Sequence, residues 1–156
     1  MSTATTTMPA FMSALVDVLR SRPELADVQV ASGPMGSDTE RGAAVFLMGS
    51  PDRVANTGAQ QWAALGNRSR EEDYQVAGWI RATGDGAAEE DIRAVRDRAF
   101  ALFREVELAL RSDPQVLTIA RTAEIDRFTL SQGAADGIGR WAVVDFEIRV
   151  RQRLPT

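Results

Sequence analysis

Apolar residues spaced three and four apart mark two helices. Over residues 89–111 (EEDIRAVRDRAFALFREVELALR), Ile92, Val95, Ala99, Leu102, Phe103, Val106, Ala109 and Leu110 fall on one stripe, and arginines and carboxylates fill the remainder. At about 1.5 Å per residue this helix is roughly 35 Å long, enough to cross a small domain, so strands must pack beneath its stripe. Asp85 is the expected N-cap, and Glu89, Glu90 and Asp91 place negative charge at the positive helix end. Ser112, Asp113 and Pro114 stop the run. A shorter helix is predicted over 9–22, with Met8, Phe11, Met12, Leu15, Val18 and Leu19 on one face, Pro9 in the first turn and Pro23 at the end.

Alternation marks the strands. Residues 27–32 (DVQVAS) turn Val28 and Val30 inward before a turn at 33–36, and the unbroken apolar run 43–48 (AAVFLM) reads as a central strand buried on both sides or at a subunit contact. A weaker strand signal lies at 60–65, and the polar stretch 66–71 turns it back as a hairpin or arm into 72–83. In that strand Tyr74, Val76, Gly78, Ile80 and Ala82 share one face, with Asp73, Gln75, Trp79 and Arg81 on the other. Strands are also predicted at 116–120 and 124–132, the latter with Phe128 and Leu130 facing the core. A loose turn follows at 133–139. The last strand, 140–151, has Ala142, Val144, Phe146, Ile148 and Val150 inward and Asp145, Glu147, Arg149 and Arg151 outward. The sum is an α+β, two-layer domain: a mainly antiparallel sheet covered on one face by two helices. Residues 1–8 are expected to be a disordered N-terminal tail, and 9–154 one domain.

Composition narrows the chemistry. All eighteen basic residues are arginine, so the chain lacks lysine, histidine and cysteine alike. That removes a Schiff-base lysine, a histidine base, a cysteine nucleophile, thiolate or imidazole metal sites and any disulfide. Twenty-two acidic residues leave a net charge of −4, a field that repels nucleic acid and anionic membranes. The start, MSTATTTMPA, lacks the basic region of a secretory signal, and no run approaches the roughly eighteen apolar residues of a membrane helix, so a soluble protein is expected.

The remaining motifs carry little chemistry. The letters GxGxxA at 137–142 enter a strand, whereas a dinucleotide fingerprint leaves one for a helix. Gly84, Asp85 and Gly86 precede a helix, but Glu89, Glu90 and Asp91 would repel a phosphate there. The trio Glu71, Glu72 and Asp73 has oxygen ligands suited to Mg²⁺ or Ca²⁺; beside Arg68 and Arg70 it reads more simply as a solvated, self-paired hairpin tip. Asp145 and Glu147 share a strand face whose charge row continues through Arg149 and Arg151, the pattern of ladder pairing. Asn67, Arg68 and Ser69 match a glycosylation pattern that carries no information without a secretory signal. Trp79 and Trp141 both sit on polar strand faces, where a lone subunit would show them to water. Either a loop over 50–59 or a second subunit should cover them. No enzymatic site, cofactor or metal is expected.

Taken in order, several stretches resemble the tail terminator (tail-completion, or neck) family of long-tailed bacteriophages. They are LRSRPEL at 19–25, QWAALG at 61–66, REEDYQV at 70–76, a Gly-Asp turn into the long helix, VELALRSDP at 106–114 and RQRL at 151–154. The resemblance implies a small subunit that closes, as a hexameric ring, on the head-proximal end of the tail tube, ends tube polymerisation and offers a head-tail joining surface. It implies as partners further copies of the chain, the tail tube protein and the head connector or completion protein. DNA would only pass through the lumen, and no membrane is involved. The location implied is the tail or neck of the virion, assembled in host cytoplasm. Interface candidates are the arm over 60–72 with Trp62, Arg68, Arg70, Glu71 and Glu72, then Trp79, Trp141, Arg149 and Arg151. Competing readings are a head-closure or connector protein of the same neck, a small-ligand-binding α+β module, and a dimeric interaction protein that hides Trp79 and Trp141.

Overall fold

The computed structural model describes residues 5–31, 43–46, 56–64, 69–113, 116, 119–135 and 139–154; for Phe46, Trp62, Ala63, Ala64 and Ala135 only the backbone is described. Among these residues the elements are α1 (Met8–Arg20), β1 (Gln29–Ala31), β2 (Ala43–Phe46), β3 (Thr57–Ala64), β4 (Ser69–Gly84), α2 (Glu89–Ser112), β5 (Thr122–Ala135) and β6 (Gly139–Leu154). A single 3₁₀ turn, Pro23–Leu25, follows α1. The sheet order is β1-β2-β4-β6-β5, with β3 also on β4, and every pairing is antiparallel except β1 with β2. The fold is therefore α+β, a mostly antiparallel six-stranded sheet packed with two helices.

The two longest strands carry the architecture. β4 and β6 pair from Arg70 opposite Leu154 to Gly84 opposite Arg140, placing Tyr74, Val76, Ile80 and Ala82 beside Val150, Ile148, Val144 and Ala142 on the helix side. Alternation sends all of these into the core. Gly78 belongs to the same row because Phe146 lies over it: a Cβ there would stand 2.1 Å from Phe146 Cζ. From above, Val95, Ala99, Leu102, Val106, Ala109 and Leu110 of α2 and Phe11, Leu15 and Leu19 of α1 complete one continuous core. Arg22 ties the turn after α1 to α2 through Glu105, at 2.8 Å. No described helix is long and apolar enough to cross a membrane.

β4 shares one edge between two partners: β3 covers Ser69 to Gln75, and β2 covers Trp79 to Ala82. Asn56 bridges the gap. Its Oδ1 accepts the Ala77 N–H at 2.8 Å, so the backbone donor left between the two ladders is satisfied.

Several expectations are corrected. The α2 N-cap is Ala88 and not Asp85; the chain passes Gly86 at φ +103, and the Asp91 carboxylate folds back to accept the Ala88 N–H at 3.1 Å. Of 116–120, Val116 and Ile119 lie in turns, with Val116 N–H on Asp113 O and Ile119 N–H on Val116 O, and Ala120 has no regular structure, so Val116 and Ala120 are buried without a ladder. Gly133 to Ala135 continue β5 and are not part of a turn, since Gly133 lies opposite Trp141. Met8 opens α1, one residue before the predicted start at 9, and Thr6 and Thr7 are hydrogen-bonded to Glu72. Phe128 does face the helix layer, yet it remains 55% exposed. It sits on the outermost strand, where Phe100 and Phe103 of α2 touch its ring and leave the rest uncovered. The turn expected at 33–36 lies outside the described residues.

Candidate functional site

The sheet face turned away from the helices holds most of the residues singled out from the sequence. Because β4 and β6 alternate, that face carries Asp73, Gln75, Trp79 and Arg81 beside Arg151, Arg149, Asp145 and Val143. A charge ladder runs across it. Arg149 donates to both Asp73 carboxylate oxygens, at 3.2 and 2.8 Å, and Arg151 approaches the same carboxylate at 3.6 Å. The Arg149 hydrogen bond, reinforced by the charges of Arg149 and Arg151, holds the Asp73 carboxyl below its usual range, and Asp73 in turn raises the Arg149 guanidinium. Glu147 pairs with Arg127 of β5 at 3.1 Å, and Gln75 donates to Asp126 at 3.3 Å. Glu147 thus belongs to a cross-strand charge pair, the kind of ladder the sequence pattern indicated.

Both tryptophans on this face are half-buried, each over a small neighbour. Trp79 packs against Ala31 and Ala44, and the Arg81 guanidinium stands 5.6 Å from its ring centroid. Trp141 spreads over Gly133, where a Cβ would come within 2.4 Å of the indole. Glycine at 133 is therefore a seat for the ring, the cross-strand pairing of an aromatic with a residue that has no side chain. Neighbouring strands supply this part of the cover; residues 50–55 of the covering loop considered above lie outside the described residues.

The β3–β4 arm divides the carboxylate trio. Glu71 is exposed, Asp73 joins the charge ladder, and Glu72 turns to the helix side, where it is 2% exposed. The trio is therefore neither a metal cluster nor a self-paired tip. Glu72 Oε1 accepts from Thr6 Oγ1 at 2.6 Å, from the Thr7 N–H at 3.1 Å and from Thr7 Oγ1 at 3.2 Å, while Gln60 Nε2 donates to Oε2 at 3.1 Å. Thr7 Oγ1 also meets the Tyr74 hydroxyl at 3.0 Å. Burial pushes the Tyr74 phenol up to about 12, against the lowering effect of the Thr7 hydrogen bond, with the nearby Glu72 charge adding to the rise. Arg70 donates to Gln60 Oε1 at 3.0 Å, and Gln60 also donates to Thr5 O. This network fastens the start of α1 to the arm. Trp62 lies opposite Arg70 in the β3–β4 register, and Arg68 lies outside the described residues.

The structure thus gathers Trp79, Trp141, Arg149 and Arg151 on one face, places Arg70 and Glu71 on the arm, and takes Glu72 inside. The network around Gln60, Thr6 and Thr7 went unread in the sequence. Its signal was parity: Glu72 has the same strand parity as Tyr74 and Val76, and a carboxylate on a buried row requires donors. No group of three or more acidic side chains placed to hold a metal ion occurs among the described residues.

No family model and no curated protein sequence matches this chain. Its fold is similar to that of a chain in the solved structure "Virion of native gene transfer agent (GTA) particle", with a TM-score of 0.53, 13% sequence identity, and coverage of 95% of this chain and 98% of that one. At that identity the likeness is one of fold, and it extends over nearly the whole of both chains.

Proposed function

We propose that the chain is a non-enzymatic structural subunit of a phage-like virion, and more narrowly a tail terminator that closes as a hexameric ring on the head-proximal end of the tail tube. The observation that carries the reading is the fold match spanning nearly all of both chains, with a virion chain on the other side. The ordered stretches that resemble tail terminators add to it. The sheet face turned away from the helices and the β3–β4 arm are the proposed contact surfaces. Ring closure would use heterologous contacts, one surface of a copy meeting a different surface of the next. Partners are then other copies of this chain, the tube protein and the head-joining protein.

The test is assembly. Purified protein is weighed by light scattering over a wide concentration range, with and without Mg²⁺, alone and with the tube protein of the same particle. A mass near six subunits, or a ring seen at one tube end, supports the reading. Trp79→Ala and Arg70→Glu should leave the circular dichroism spectrum intact and reduce ring formation or capping. Unchanged assembly in both variants would remove these surfaces from the proposal. Binding to the head side alone, with tubes growing uncapped, would favour a head-closure protein.

A further inference from the structure

We propose that Thr5, Thr6 and Thr7 form a releasable strap that sets the pose of the β3–β4 arm through one carboxylate oxygen, Glu72 Oε1. The arm is rigid with the strap docked and loose with it released. The strap stands on its own geometry; its consequence for assembly rests on the reading of the arm as a contact surface.

The hold converges on one atom. Glu72 Oε1 accepts from the Thr6 hydroxyl, the Thr7 N–H and the Thr7 hydroxyl. A threonine hydroxyl has a single proton, so Thr7 Oγ1, which spends it on Glu72, accepts from the Tyr74 hydroxyl at 3.0 Å. A directed chain therefore leaves the buried row of β4 at Tyr74, passes through the strap and returns to β4 at Glu72. Thr6 is used twice in the same way: its hydroxyl donates to Glu72 and accepts the Met8 N–H at 3.2 Å. The Phe11 N–H closes the first helical bond on Thr7 O at 2.8 Å, so the state of the strap reaches the first turn of α1.

On the arm, Gln60 makes the connection. It lies opposite Glu72 in the register, donates to Glu72 Oε2 and to Thr5 O, and accepts from Arg70. Two features make the strap releasable. Its residues are all threonine, so no large apolar side chain anchors it before Met8, which packs against the core. Its bonds are also ones that water can replace, and release hydrates the Glu72 carboxylate instead of stranding it.

The side it grips decides what it does. Glu72 and Tyr74 face the helices, whereas Gln61, Glu71 and Asp73 alternate to the other side, where they line a cavity of about 620 Å³ with Arg151 and Arg153. The strap leaves that surface open and removes the freedom of the arm that presents it. Docking therefore favours association by preorganisation and does not block it.

The experiment is amide exchange of the full chain, read by mass spectrometry. Thr6→Val with Thr7→Val removes both hydroxyls and keeps their shape. Neither hydroxyl bonds to β3, yet exchange over Thr57–Ala64 should accelerate by at least about tenfold while β6 stays protected. Gln60→Ala should loosen the same strand and leave the first turn of α1 protected. Glu72→Ala should loosen both, and adding the valine pair to it should change the rates by less than about twofold, because these residues act as one unit. Unchanged exchange over Thr57–Ala64 in the valine pair overturns the proposal. So do effects that simply multiply, or a loss of protection shared by the whole chain. Light scattering on the valine pair separates the strap from the assembly reading: a loosened arm with weaker association supports both, and a loosened arm with association unchanged keeps the strap and removes the arm from the contact surface.

Discussion

The two faces of the β4–β6 pair are built from the same strands, one residue out of phase, and they obey different physics. On the helix side, Tyr74, Val76, Ile80, Ala82, Val144, Phe146, Ile148 and Val150 are almost wholly removed from water, and each is fixed by the volume of its neighbours. On the opposite side, Asp73, Gln75, Glu147, Arg149 and Arg151 are held by cross-strand ion pairs and hydrogen bonds that water can replace. Burial of the first face stabilises the fold. The ion pairs of the second face contribute little to that stability. Trp79 and Trp141 lie on this second face and are half-buried, Trp79 against Ala31 and Ala44 and Trp141 over Gly133.

The sharpest break in this comparison is Phe146→Ala. The ring lies over Gly78 and against Phe103, so its loss should destabilise the subunit by about 3–5 kcal/mol in urea unfolding. Next comes Glu72→Ala, which strands the donors of Thr6, Thr7 and Gln60 and should cost about 1–3 kcal/mol, with Glu72→Gln milder because one acceptor remains. Amide exchange should accelerate first in Thr57–Ala64 and at the start of α1, while β6 stays protected. An unchanged exchange pattern would mean that the arm does not depend on this network.

Tyr74 offers a readout on the buried side, since it is the only tyrosine in the chain. Its pKa is raised from 10.0 to about 12, so the folded state holds the proton more tightly than the unfolded chain does. The associated stability is fully present below pH 10 and declines as pH rises through about 12. Tyrosinate absorbance should therefore lag behind that of a free tyrosine, and Tyr74→Phe should flatten this alkaline decline. The smallest effect belongs to the polar side. Asp73 has a folded pKa below its ordinary 3.8, so its contribution is present above that value and is lost as pH falls through the lower folded one. With Asp73 substantially exposed, Asp73→Asn should change unfolding only slightly, and added salt should erase the difference. A large effect of Asp73→Asn on the isolated subunit would collapse the distinction between the faces.

Much of the layout was legible because it depends on short-range pattern. The stripe of α2, the alternation of β4 and β6 and the pairing of Glu147 into a cross-strand ladder follow from helix and strand periodicity. Other features escaped for definite reasons. Val116 and Ala120 read as a strand because they are apolar, yet burial alone does not distinguish a ladder from a turn. Gly133 read as a turn residue, and its role as the seat of Trp141 depends on a partner eight positions along the chain, across the β5–β6 register. Phe128 read as core because its parity is inward; its exposure follows from being on the last strand, and strand order is not written in periodicity.

The sequence by itself determined the apolar stripe of α2, the inward rows of β4 and β6, and that histidine, cysteine and lysine chemistry is absent, since these follow from composition and local period. Only the tertiary structure decided that β4 shares an edge between β2 and β3, that Glu72 lies inside while Glu71 and Asp73 lie outside, and that an aromatic stack reaches the surface at Phe128. The reason is one of range. Periodicity acts between residues a few positions apart, whereas strand order, the donors around a buried carboxylate and the open edge of a sheet arise from contacts between segments far apart in the chain.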